Sequence, residues 1–214
     1  MTLRTTALTL AFTALLQLSG TASFAADAAP AAQVAPAASS KEAFIEGMGT
    51  RVLAVLKDDK KPFAARQAAL RSLFVEVVDT DWIAKFVLGT AWKTATPEQK
   101  AKYTELYRTY LTETYISKFD EDSGTLVKEI KITGVKDGTD GTVTAQTLIV
   151  QSGTEPAVKV NYLLRPKGDQ YKIIDINIEG VSLLATHRQE FNALASKNGI
   201  DGVIAKLTEL TTHK

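Results

Sequence analysis

Two histidines, His187 and His213, and one carboxylate set inside an isoleucine run, Asp175, are the side chains in this 214-residue sequence that first invite an acid–base reading. A general base needs a second group to orient it. His187 lies between Thr186 and Arg188 in a helical stretch and reads as an exposed or half-buried helical histidine, while His213 stands next to the last residue. Asp175, in "KIIDINI", costs free energy unless it meets water or a partner. It either faces solvent on the far side of a sheet or caps a neighbouring element; a catalytic role would need a second acid or a histidine that the sequence does not locate. "DEDSG" at Asp120 and "DGTDG" at Asp137 lack the D-x-D-x-D-G order and trailing glutamate of a calcium loop, and read as solvated turns. No zinc-protease, nucleophile-elbow, P-loop or dinucleotide glycine pattern occurs. No metal, no cofactor and no enzymatic activity are expected.

With chemistry scarce, the elements that would position a binding site become the subject. The opening "MTLRTTALTLAFTALLQLSGTASFAA" carries Arg4, an apolar run from Ala7 to Leu18, and small residues at Ser23 and Ala25, the pattern of a secretory leader over 1–25. The apolar run is shorter than the roughly 20 residues of a membrane span. There is no cysteine, so neither a lipidated cysteine nor a disulfide framework is available. Loss of Arg4 with the leader leaves 24 basic against 24 acidic residues, so bulk charge gives no reason to expect nucleic-acid partners. Residues 26–39, "ADAAPAAQVAPAAS", form an Ala/Pro tract too poor in large apolar residues to build a core, and read as a tether. A single domain is expected over 40–214.

Within that domain Ser39 and Glu42 have capping-box spacing, followed by Phe44, Ile45, Met48, Val52 and Val55 at helical intervals. Pro62 suits the first turn of a second helix that buries Leu70, Leu73, Phe74 and Val77. "TDWIAKFVLG" is a short helix ending at Gly89. "TATPEQ" is the clearest start signal, with Thr96 as cap, Pro97 at the first position and Gln99 reaching back. The helix it opens runs to about Lys118 and carries Tyr103, Leu106, Tyr107, Tyr110, Leu111 and Phe119 on one stripe.

After Gly124 the apolar period falls from about 3.6 to 2. Leu126, Ile130 and Ile132 share a face, then Val143, Ala145, Thr147 and Ile149, then Val158, Val160, Tyr162 and Leu164. In the last strand Ile174, Ile176 and Ile178 fall together, with Ile173, Asp175 and Asn177 opposite. The short turns imply an antiparallel meander. Gly180 leads into a helix that stops at Asn198 and Gly199, followed by "DGVIAKL". The fold expected is α+β, a four-stranded antiparallel sheet packed against N- and C-terminal helices, with an apolar cavity between sheet and helices.

The segments "FVLGTAWKTATPEQKAKYTELYRTYLTETY", "VNYLLRP" and "YKIIDINIEGVSLLATHRQEFNALASKNGIDGVIAKL" together resemble the MlaC, or toluene-tolerance, family of periplasmic phospholipid carriers. The matching positions are Leu88, Gly89, Trp92, Thr96, Pro97, Gln99, Tyr162, Lys172, Asp175, Gly180, Val181, Ser182, Arg188, Phe191, Gly199, Asp201 and Gly202. The resemblance implies a periplasmic, monomeric shuttle for phospholipid between an outer-membrane lipoprotein complex and the substrate-binding ring of an inner-membrane ABC transporter, maintaining outer-membrane lipid asymmetry. A branch linked to hopanoid metabolism is similar too and offers a different lipid. Two acyl chains of roughly 30 methylenes at about 0.8 kcal/mol each cost on the order of 20 kcal/mol in water, so such a lipid needs a carrier.

The residues expected to wall a tail-binding cavity are Leu88, Trp92, Tyr107, Leu111, Val160, Tyr162, Ile174, Ile176, Ile178, Leu183, Leu184 and Phe191. Ordinary core packing is the competing reading for each. Gly180 permits a tight strand-to-helix passage, Ser182 caps the following helix, and Arg188 is placed to meet Asp175 or a partner surface. Two other readings stay open: a small hydrolase or isomerase using Asp175, and an apolar groove that presents itself to a peptide.

Overall fold

The computed structural model describes residues 41–153 and 156–212. The leader, the tether, the Ser39 cap and His213 lie outside the described residues. The order is α1 (Lys41–Leu56), α2 (Phe63–Val77), α3 (Thr80–Leu88), α4 (Thr90–Thr94), α5 (Pro97–Ile116), α6 (Ser123–Leu126), β1 (Val127–Asp137), β2 (Val143–Gln151), β3 (Val158–Lys167), β4 (Gln170–Ile178), β5 (Val181–Ser182) and α7 (Leu183–Thr212). The expected α+β class holds.

Helix α5 begins with a complete capping box. Thr96 Oγ1 accepts from the Gln99 backbone N–H at 3.2 Å, and Gln99 Oε1 accepts from the Thr96 N–H at 3.0 Å. The same Gln99 amide donates through Nε2 to Asp201 at 2.8 Å, tying the start of α5 to the last part of α7. Helix α3 is capped by Asp79, whose carboxylate accepts from the Trp82 N–H and is paired with Lys167 at 2.9 Å and Arg165 at 3.5 Å. Gly89 ends α3 at φ 59° and ψ −123°, a conformation suited to glycine, and the chain turns at once into α4. Helices α4 and α6, of five and four residues, were not foreseen: segments that short display no apolar period. Leu126, expected on the face of β1, instead ends α6 and is 49% exposed.

The sheet is antiparallel throughout in the order β1-β2-β3-β4-β5, the expected meander with a two-residue fifth strand added. Directly opposed residues share a face. Val160 pairs with Ile178, Tyr162 with Ile176, and Leu164 with Ile173. The expected grouping of Ile174 with Ile176 and Ile178 is therefore corrected: a register shift at Leu163/Leu164 inserts one extra residue into β4, and Ile173 takes the inward place instead. Val78 bridges β4 at Ile173 and β5 begins pairing at Asn177, so the edge of β4 in between is left to the helices. Thr147, almost wholly buried on the inner face of β2, is accommodated because its hydroxyl donates to the Val160 carbonyl at 2.7 Å.

Asp175 occupies that free edge and caps α7. Its Oδ1 accepts from the Leu184 N–H at 3.0 Å and its Oδ2 from the Ser182 hydroxyl at 2.6 Å, while Ser182 Oγ accepts from the Ala185 N–H at 3.0 Å. Helix α7 breaks at Gly199, where φ is 65°, so it is two helices joined at the expected stop. Gly180, at φ 91°, makes the β4–β5 turn together with Glu179 at φ 49°. Arg188 does not reach Asp175: it donates to the Phe86 carbonyl at 2.6 Å and lies 4.2 Å over the Phe86 ring.

Candidate functional site

The inner face of the sheet shares one buried core with α3, α5 and α7, with Leu88, Tyr103, Tyr107, Leu164, Val203 and Leu207 fully buried. Toward the free end of β4 the packing opens. Helices α1 and α2 cross the sheet there and leave a chamber of about 320 Å³ between themselves, the C-terminal end of α5 and strands β1, β3 and β4. Ordinary interiors hold few voids larger than a water molecule, and small-molecule sites begin near 300 Å³. The lining comes from Met48 and Val52 of α1; Leu70, Leu73, Phe74 and Val77 of α2; Tyr115, Ile116 and Phe119; and Ile130, Tyr162, Ile173, Ile176 and Ile178 of the sheet. Lys118 is the one lysine, arginine, aspartate or glutamate in that lining. Ile178 is 40% exposed and Lys118 is exposed, so the chamber reaches the surface between the end of α5 and the β4–β5 turn.

A second, much smaller space of about 30 Å³ adjoins the chamber through Phe74, Tyr115 and Ile176, and runs toward α7. Tyr107, Leu111, Ile174, Asp175, Leu184 and His187 line it. His187 is buried, not exposed or half-buried as expected from its helical neighbours, because its face of α7 turns onto α5. Its Nδ1 lies 3.1 Å from the Tyr107 hydroxyl and its Nε2 3.0 Å from the Tyr115 hydroxyl. In a neutral ring one nitrogen donates and the other accepts, so one phenol accepts and the other donates. Burial lowers the His187 pKa, with Glu190 opposing. Burial pushes Tyr115 up to about 12 and Tyr107 further, and both stay protonated at neutral pH. Asp175 and His187 line the same small space, yet the hydrogen bonds of each go elsewhere: the carboxylate to the first turn of α7, the imidazole to two phenols.

Two ties hold the α2 and α5 sides of the chamber together. Arg71 donates to both carboxylate oxygens of Glu113, at 2.8 and 3.0 Å, and Phe74 stacks on Tyr115 at 6.2 Å between ring centres. The paired geometry raises the Arg71 pKa through its hydrogen bond with Glu113. Gln67 donates to the Phe119 carbonyl at 3.4 Å, which fixes the chain where it leaves α5.

The chain has known relatives in both sequence and fold. Residues 46–209 match the family model of the MlaC protein. The chain belongs to the MlaC family. The toluene tolerance protein ttg2D of Pseudomonas putida is 24% identical over 172 residues, 77% of each chain. A solved phospholipid-binding protein from Ralstonia solanacearum, in complex with a phospholipid, superposes with a TM-score of 0.67 at 21% identity, over 80% of this chain and 96% of that one. That likeness establishes a shared fold.

The twelve residues singled out from the sequence divide among four places in this MlaC chain. Tyr162, Ile176, Ile178 and Leu183 line the chamber, and Tyr107, Leu111, Ile174 and Leu184 the adjoining space. Leu88, Val160 and Phe191 are buried in the core and line neither. Trp92 lies on an outer groove with Phe86 and Arg188. The sequence reading left out the wall contributed by α1 and α2. The signal is present in Met48 and Val52 at helical intervals and in the buried stripe Leu70/Leu73/Phe74/Val77, but periodicity reports that a face is covered and not by what.

Proposed function

We propose that this chain is a periplasmic carrier that holds the acyl chains of a phospholipid in the chamber and shuttles the lipid between an outer-membrane lipoprotein complex and the substrate-binding ring of an inner-membrane ABC transporter. The observation that carries the reading is the chamber of about 320 Å³, apolar apart from Lys118 at its edge and open to the surface. Such a lining removes methylenes from water at about 0.8 kcal/mol each and offers nothing to break a bond. The phospholipid bound by the R. solanacearum protein of the same fold supports it. So do the family match and the secretory pattern of residues 1–25. Among the described residues no helix is long and apolar enough to cross a membrane. The carrier acts as a monomer and performs no chemistry on its cargo.

Purification without detergent, solvent extraction and mass spectrometry of the extract test this. Close to one phospholipid per chain is the expected yield. Protein that is reproducibly lipid-free and takes up none from vesicles would overturn the proposal.

A further inference from the structure

Lys118 is singular in its setting. It is the one formally charged side chain among the residues lining the chamber, and its residue is exposed where the chamber meets solvent. Its ammonium forms no ion pair or hydrogen bond within the described residues, although its backbone N–H is anchored to the Tyr115 carbonyl at 3.2 Å. Several lysines are engaged, Lys41 with Asp137, Lys57 with the Lys128 carbonyl, Lys167 with Asp79 and Lys206 with Glu209, and what sets Lys118 apart from the remaining unpaired ones is its place in the chamber lining. The acids that follow it in sequence do not line the chamber, and Asp120 is occupied by the Ser123 hydroxyl at 2.7 Å. Across the mouth, Glu179 is turned away to accept from the Lys159 backbone N–H. Gln67, bonded to the Phe119 carbonyl, fixes the chain immediately after Lys118.

A ligand whose tails fill the chamber must leave its polar end beside Ile178 and Lys118, since the remaining lining is aliphatic and aromatic. We infer that Lys118 is the anchor for the phosphodiester of the bound lipid, a group shared by phospholipids whatever alcohol they carry. An ammonium acts on phosphate as a compact point charge with three donors, undemanding of geometry. It therefore selects for the phosphate and not for the rest of the headgroup. The assignment rests on the chamber being the lipid site.

The test keeps the two separable. Delipidated full-length mature protein is incubated with vesicles of dioleoyl phosphatidylglycerol containing a minor fraction of dioleoylglycerol, which has the same tails and no phosphate. The two lipids loaded are then counted by mass spectrometry. Lys118→Met, which keeps the length and loses the charge, is expected to lower the ratio of phospholipid to diacylglycerol by about five-fold, the upper range for an exposed ion pair. Lys118→Glu is expected to lower it further, and high salt to bring wild type and variants together. An unchanged ratio in Lys118→Met overturns the inference while leaving the chamber in place, as does equal loss of both lipids. Wild-type protein that loads neither lipid overturns the chamber reading, and the inference with it. Inorganic phosphate is expected to act no differently from chloride at equal ionic strength; specific displacement by phosphate would mark a free-anion site and refute the headgroup assignment.

Discussion

Replacing Ile176 with tryptophan separates a real hollow from an ordinary core by the sign of the stability change. Ile176 lies opposite Tyr162 and borders both the chamber and the space beside it. A void of about 320 Å³, at about 24 cal/mol per Å³, corresponds to a packing deficit of about 8 kcal/mol, an upper figure because the mouth admits water. An indole ring that fills on the order of 50 Å³ of it recovers about 1 kcal/mol. In a close-packed interior the same enlargement costs about 1–3 kcal/mol. Urea unfolding of delipidated protein, read as a change in midpoint at constant slope, is expected to show Ile176→Trp as stable as wild type or up to about 1 kcal/mol more stable, with phospholipid loading lost. Leu88→Trp, at a wholly buried position outside the chamber, provides the contrast and is expected to be destabilised. If Ile176→Trp is destabilised like Leu88→Trp and still loads lipid, the space is not the tail site and the reasoning fails.

Asp175→Ala removes both side-chain bonds to the start of α7 and is expected to cost about 1–2 kcal/mol, seen as a lower melting temperature with no lost turnover of any kind. His187 has a folded pKa below its ordinary value of about 6.5 because it is buried. The unfolded chain therefore binds more protons than the folded one just below that value, and stability falls as pH drops through it. Comparing denaturant midpoints at acid and neutral pH, His187→Gln is expected to flatten that dependence; an equal slope in both proteins would count against the burial argument. Gly89→Ala forces a side chain into positive φ and against Asn192, and is expected to cost at least about 1–3 kcal/mol in thermal melts. Gly47→Ala, within α1 and with nothing near the added methyl, is expected to stabilise by up to about 1 kcal/mol.

The capping box at Thr96 and the glycine stops at Gly89 and Gly199 were legible because they depend on neighbours three or four residues away. The meander was legible for the same reason, its turns being short. The face of β4 was not: one extra residue in the strand shifts the alternation after Ile173, and a bulge depends on the partner strand. His187 shows the same limit from the helical side. Its neighbours Thr186 and Arg188 read as surface, while Tyr107 and Tyr115, 80 and 72 residues earlier, supply the partners that let it be buried. The chamber was anticipated in kind and in part of its sheet wall, but not in the wall from α1 and α2, because a hollow is a mismatch between faces and no single face encodes it.

The side chain of Gln99 carries a consequence of its own. Helix starts of this type accept glutamate and glutamine almost interchangeably, since only the oxygen is used on the near side. Here the nitrogen on the other side of the same amide meets the carboxylate of Asp201. A glutamate at this position would satisfy α5 and set two negative charges against each other at the far end of the chain. A choice that the local grammar leaves free is settled by a residue a hundred places downstream.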